Sequence, residues 1–209
     1  MKKHFTLFKN DHDLLLFGLI FFVMEAIKQI ILIKRGYNVW FFPFQLCSMP
    51  IYLCLLYGLL HKPKCLLTWL ADYGFLGGFA ALVVHQGFTE TGILYVTIHG
   101  YVWHSLMLVL SLYLVFVRKI DLSWKSFGKG VIVLFVMCAL AEVINVIGHP
   151  YGDCDMFYIT PYHISSQPVF CDIDRVIGRP LGILVYIGAI IFFAAFIHEI
   201  YCFITSKLA

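Results

Sequence analysis

Apolar residues run along this chain in long blocks separated by short polar stretches, not at the alternating spacing of a half-buried strand or the striped spacing of a surface helix. A helix needs roughly 20 mostly apolar residues to cross a bilayer. Six segments meet that length: Leu14–Ile33, Trp40–Leu60, Leu66–His85, Ile93–Val117, Gly130–Ile147 and Leu181–Ile204. The breaks are polar or carry glycine and proline: Lys34-Arg35-Gly36, His61-Lys62-Pro63-Lys64, Gly87–Gly92, Arg118–Lys129 and His149–Pro180. The first segment is interrupted by Glu25, Lys28 and Gln29. Glu25 and Lys28 share a helix face and are expected to form an ion pair that makes the helix tolerable among its neighbours.

Composition fixes the solvent. Hydrophobic residues make up 61% of the 209 residues and charged residues 13%, with a mean hydropathy of +0.88. A soluble domain carries about a quarter charged residues, so lipid must cover part of this apolar surface. The expected fold is an all-α, polytopic membrane helical bundle of six transmembrane helices, a single membrane domain over residues 1–209, placed as a multi-pass protein of the cell membrane. A net charge of +3 without a basic run interleaved with aromatics gives no reason for a nucleic-acid partner.

Basic residues in short loops set the orientation. With the N-terminus cytoplasmic, the inside carries Lys2, Lys3, Lys9, Lys62, Lys64, Arg118, Lys119, Lys125, Lys129 and Lys207, and the outside only Lys34, Arg35, Arg175 and Arg179. Both termini are therefore expected inside, and His149–Pro180 outside. No small-residue cleavage site follows the first apolar stretch, which is expected to remain as a helix. Cys154 and Cys171 lie in the outer loop, where a disulfide can form, although spacing alone does not fix its geometry. No Cys-x-x-Cys or His-Glu-x-x-His spacing occurs, so neither a metal centre nor another cofactor is expected.

The candidate chemistry is the set of ionisable groups inside these spans, which are functional candidates by default. At 1.5 Å per residue, Cys47 lies roughly 10 Å below the outer boundary, His99 at a similar depth and His104 roughly 16 Å in. Glu25, Lys28, Glu142 and Asn145 fall in the same outer half, and His85 closes the third span at its edge. Asp72, His198 and Glu199 fall in the inner half, where Asp72 and Glu199 read as structural or interfacial. A single buried cysteine is ordinarily a small hydrophobe, which is the reading for Cys54, Cys65, Cys138 and Cys202. Joint placement with imidazoles, and the bracketing of Cys47 by Pro43 and Pro50, set Cys47 and His104 apart. Pro50 is expected to free the Leu46 carbonyl by removing a helical hydrogen bond. Trp40 and Trp69 read as interface anchors or packing groups.

Several runs resemble a known family. Phe44-Gln45-Leu46-Cys47-Ser48 resembles the P-L-H-L-C segment of the YwaF-like integral membrane proteins. His99-Gly100-Tyr101-Val102-Trp103-His104-Ser105-Leu106 resembles their F-F-x-x-H-G helix, with His104 at the histidine. Tyr113–Val117 and Ser123–Ser126 match the end of that helix and the loop after it. Asn145–Gly148 fits the N-x-x-x-G close of the next helix one residue short, and Asp155–Tyr158 resembles N-Y-M-F-L. That family is similar to the transmembrane-protein-164 acyltransferases, and more distantly to the androgen-induced hydrolases of fatty-acid esters. The resemblance implies a lipid-acyl transferase or hydrolase with membrane lipid as substrate, Cys47 as nucleophile and His104 as base. The family's histidine before the cysteine is Gln45 here, and Asp153-Cys154-Asp155 departs from its asparagine region. In this scheme Gln45 or Asn145 donates to the developing oxyanion, Glu142 orients His104, and His99 supports the site. Two other readings fit the same polar groups: a small transporter or channel, or an envelope sensor or accessory subunit that docks through His149–Pro180.

Overall fold

The computed structural model describes residues 12–59, 63–89 and 91–208. Lys2, Lys3, Lys9, His61 and Lys62, used above for orientation or loop boundaries, lie outside the described residues. The chain is helical: α1 (His12–Arg35), α2 (Met49–Leu59), α3 (Cys65–Val84), α4 (Leu94–Leu112), α5 (Trp124–Gly148), α6 (Phe170–Ile177) and α7 (Arg179–Leu208). Five of these elements are long and apolar enough to cross a membrane: α1, α3, α4 with its continuation to Val117, α5 and α7.

The second apolar block does not form the continuous helix expected over Trp40–Leu60. It divides into a 3-10 turn at Val39–Phe41, an extended stretch, a second 3-10 turn at Leu46–Ser48, and the 11-residue α2. A helix of that length spans about 16 Å, roughly half the hydrocarbon thickness. The prolines account for the break. Phe42, the residue before Pro43, is held extended at φ −56°, ψ 130°, because the proline ring disfavours helical backbone in its predecessor. Pro50 then falls in the first turn of α2, where its missing N–H is not needed. The Leu46 carbonyl, expected to be freed by Pro50, instead accepts from the Met49 N–H.

The other boundaries move for identifiable reasons. α5 begins at Trp124, not Gly130, because the Ser123 hydroxyl accepts from the Ser126 N–H at 3.2 Å and caps the helix. Lys125 and Lys129 then sit on its exposed first turns, as long flexible cations can. α4 ends in a π-helical turn, Tyr113–Val117. Arg118 after that turn reaches both carboxylate oxygens of Asp13 at 2.7 Å, and Tyr113 donates to Asp13 at 2.5 Å. The start of α1 and the end of α4 are thereby locked together at one end of the bundle.

Packing uses small residues at the crossings, as expected where lipid gives helices no hydrophobic reason to associate. A Cβ on Gly18 would lie 3.0 Å from the Leu55 side chain, so its absence lets α1 close on α2. A Cβ on Gly78 would lie 2.9 Å from the His104 carbonyl, so α3 meets the backbone of α4 at the level of the candidate base. Phe21, Leu53, Leu70, Met107, Leu114 and Leu134 fill the interior. Leu19, Phe22, Ile30, Phe192, Phe196 and Phe203 point outward from α1 and α7, where lipid tails would cover them.

Candidate functional site

Cys47 sits in the 3-10 turn between the extended stretch and α2, half-buried and unpaired. Its carbonyl accepts a hydrogen bond from the Trp103 indole N–H of α4 at 2.9 Å. His104 is the next residue of α4. Its Nδ1 lies 2.7 Å from the Gly100 carbonyl; a carbonyl only accepts, so Nδ1 carries the hydrogen and Nε2 keeps its lone pair. The His104 ring also stacks on Phe88, with centroids 4.9 Å apart and planes 18° apart. A Cβ on Gly100 would meet the Phe88 ring at 2.7 Å, so glycine there makes room for the stack.

A second group surrounds Trp103. His99 stacks on it at 4.9 Å, and Phe21 packs against its edge at 4.8 Å. The buried Glu25 carboxylate takes the Lys28 ammonium at 2.8 Å and the Gln29 amide at 2.6 Å, so the expected Glu25–Lys28 pair is formed. The Gln29 amide also donates to the Phe41 carbonyl at 2.7 Å. Glu25 Oε2 lies 3.7 Å from His99 Nε2, which is buried without a hydrogen-bond partner among the described residues. α1, the turn before α2, and α4 thus contribute to one polar neighbourhood.

Gln45 and Asn145 take a different part from the one expected. The Gln45 amide donates to the Asp155 carbonyl at 2.8 Å and accepts from the Phe157 N–H at 2.9 Å. Asn145 accepts from the Met156 N–H at 2.5 Å and donates to the Met156 carbonyl at 3.2 Å. Two amide side chains, from distant parts of the chain, hold three consecutive residues of the 149–180 segment. Within it, Cys154, Asp155, Met156 and Phe157 are buried. Glu142 accepts a long hydrogen bond from Asn145 at 3.4 Å, while the His104 orientation comes from Gly100 and Phe88. His85 caps α3 in left-handed backbone, φ 32°, and its side chain is exposed, while its carbonyl accepts from the Phe88 N–H at 3.0 Å.

The rest of the segment is built on Arg179. Its guanidinium donates to the Thr160 carbonyl at 2.7 Å, the Tyr158 carbonyl at 2.9 Å and the Asp174 carboxylate at 2.8 Å, and lies 3.9 Å from Asp155. Asp174 also accepts from the Ser165 N–H at 2.7 Å, and its other oxygen rests against Gly182, where any side chain would collide. Burial pushes the Asp155 carboxyl up, against the lowering effect of the Thr160 N–H and of Arg179. Cys154 and Cys171 are both free thiols, so the disulfide considered above is not formed. Cys154 points instead at the Ile144 carbonyl and Asn145, and burial pushes its thiol up.

Sequence reasoning overlooked a second buried pair, assigning Asp72 to structure and giving His198 no partner. His198 Nδ1 lies 2.8 Å from Asp72, and Nε2 donates to the Leu122 carbonyl at 3.1 Å. Both residues are 0% exposed. The only available signal was the occurrence of an acid and an imidazole at matching inner depth in two spans. Trp103 and Arg179 were also overlooked as anchors, because neither contact has a local spacing.

Among the described residues, no group of three or more His, Cys, Asp or Glu side chains is arranged to hold a metal ion. No curated protein and no solved structure matches the chain. The family profile of the TMEM164 family matches residues 2–198, which includes Cys47, His99, His104, Asn145 and the whole 149–180 segment. The chain therefore belongs to the TMEM164 family, and its apolar helices make it an integral, multi-pass membrane protein.

Proposed function

We propose that this protein transfers fatty-acyl groups from membrane lipid through a thioester on Cys47, with His104 as the proton carrier. The observation that carries the reading is the use of two successive residues of α4. Trp103 ties down the Cys47 backbone, while the Nδ1–Gly100 bond leaves His104 Nε2 as the basic nitrogen. His104 takes the thiol proton, and the sulfur attacks the ester carbonyl carbon. The tetrahedral intermediate collapses with cleavage of the carbon–oxygen bond, and the imidazolium returns its proton to the departing alcohol. An acceptor hydroxyl, or water, then attacks the thioester and the carbon–sulfur bond breaks, with His104 passing the proton to sulfur. Gln45 and Asn145 act here as supports for the segment over the site, since their amides already serve its backbone.

The test is intact-protein mass after incubation with lipid vesicles, together with release or transfer of labelled acyl chains. An acyl adduct on Cys47, lost in Cys47→Ala, and loss of turnover in His104→Ala are expected. Full turnover in either variant removes that residue from the chemistry. The Asp72–His198 pair favours a second reading, proton-linked transport, because buried acid–imidazole pairs in membranes often carry protons. Proton flux in liposomes that persists in Cys47→Ala and disappears in Asp72→Asn is the result that would select it.

A further inference from the structure

A cavity of about 360 Å³ opens where the chain leaves α4 and enters α5, between the start of α3 and the first turns of α5. Its walls carry Lys64, Lys125 and Lys129 together with Asp121, Ser123 and Ser126. It lies at the end of the bundle marked by Arg118 and Asp13, beyond the last turn of α4, whereas His104 stands midway along that helix. The volume falls within the range of small-ligand sites, about 300–1,000 Å³.

The charges in the cavity are unbalanced. Lys125 and Lys129 are one turn apart on the same face of α5, and Lys64 faces them from the start of α3. None of the three makes an ion pair with an acid among the described residues. The one carboxylate in the wall, Asp121, is turned onto the Ser123 N–H at 3.0 Å. That hydrogen bond, with the hydroxyl of Ser123 and the Lys64 charge, holds the Asp121 carboxyl below the usual carboxylate range. The Ser126 hydroxyl is already shared with Thr68 at 2.7 Å. Ser123 serves the Ser126 and Phe127 amides, so the amides of Trp124 and Lys125 at the positive end of α5 add to the field without supplying its main charge.

The depth of the cavity points to the source of its ligand. Trp124, beside the lysines, is 54% exposed at the end of a membrane-length helix. An exposed indole at that position belongs at headgroup level, and lysines near it reach toward phosphates with their stems along the apolar surface. We propose that this cavity binds the phosphate of an anionic lipid headgroup. The proposal is independent of the acyl-transfer reading, because the cavity is lined by none of the residues that reading uses.

The experiment follows Trp124 fluorescence in neutral phosphatidylcholine nanodiscs containing a few mole per cent of brominated phosphatidic acid or brominated phosphatidylcholine. It uses the full chain with Trp40→Phe, since Trp69 and Trp103 are 1% and 2% exposed and shielded from the quencher. Brominated phosphatidic acid is expected to quench Trp124 well beyond its mole fraction. Lys64→Gln, Lys125→Gln and Lys129→Gln should each weaken the preference about fivefold, from about 1 kcal/mol per basic residue near an anionic surface. Together they should bring it to the phosphatidylcholine level, whereas Lys119→Gln, outside the cavity, should leave it unchanged. If the triple variant does not fold, the single variants and loss of the preference in high salt serve the same purpose. Equal quenching by the two lipids overturns the proposal. Displacement by millimolar inorganic phosphate, with no preference for the phosphatidic headgroup, also overturns the lipid assignment and gives the site to soluble phosphate.

Discussion

Replacing Gln45 with leucine removes both hydrogen bonds to the segment above the site while keeping a side chain of similar bulk. The Asp155 carbonyl and the Phe157 N–H, bonded at 2.8 and 2.9 Å, are then left buried without those partners. Each orphaned buried group costs about 1–3 kcal/mol, so a local destabilisation of about 2–6 kcal/mol is expected. Asn145 holds the neighbouring Met156 unit, so the segment should loosen before the bundle unfolds. Cys154 is a built-in reporter, being 2% exposed and next to Asp155. Its alkylation by a water-soluble maleimide, mapped by peptide mass, tracks the open population. A loss of 2 kcal/mol corresponds to an increase of about thirtyfold in labelling rate, at about 1.4 kcal/mol per factor of ten. Gln45→Leu combined with Asn145→Leu should be non-additive, because both grip adjacent peptide units. A Cys154 labelling rate within twofold of the parent, with an unchanged unfolding midpoint, would refute the argument that Gln45 anchors this segment.

Gly100→Ala gains about 1 kcal/mol of helix propensity, but its new methyl would lie 2.7 Å from the Phe88 ring; a net cost of about 1–3 kcal/mol and reduced acyl turnover are expected by thermal melting and lipid assay. Arg118→Gln removes the charged nitrogen that bonds both oxygens of the Asp13 carboxylate and should cost about 3 kcal/mol by unfolding in detergent. Asp155 has a folded-state pKa raised by burial, so its contribution favours the folded segment at low pH and is lost as pH rises from the ordinary value of 3.8 through the raised one. Stability measured from pH 4 upward should therefore fall less steeply in Asp155→Asn than in the parent.

The long elements were legible because a bilayer imposes a length that composition alone can meet, as in α1, α3, α4 and α7. A pair at helical spacing was legible too: Glu25 with Lys28. The block around Cys47 was misread, because hydropathy averaged over a window registers apolarity but not the backbone limits of Pro43 and Pro50. The amide groups of Gln45 and Asn145 were picked out as candidates, but their backbone partners were not. Their bonds to Asp155, Met156 and Phe157 join segments with no common spacing, and backbone groups leave no mark in a residue pattern. Arg179 was counted only as a loop charge, although three partners converge on its fork.

The brevity of α2 has a consequence for the surrounding lipid. A helix of 11 residues is shorter than the acyl layer, and where its exposed Leu56 and Leu59 meet lipid a bilayer answers such a shortfall by thinning. Glycerol backbones there would be drawn inward, toward the turn that bears the thiol. Under the acyl-transfer proposal, membrane deformation would then bring ester groups toward Cys47, and lipids with different chain lengths would meet it at different heights.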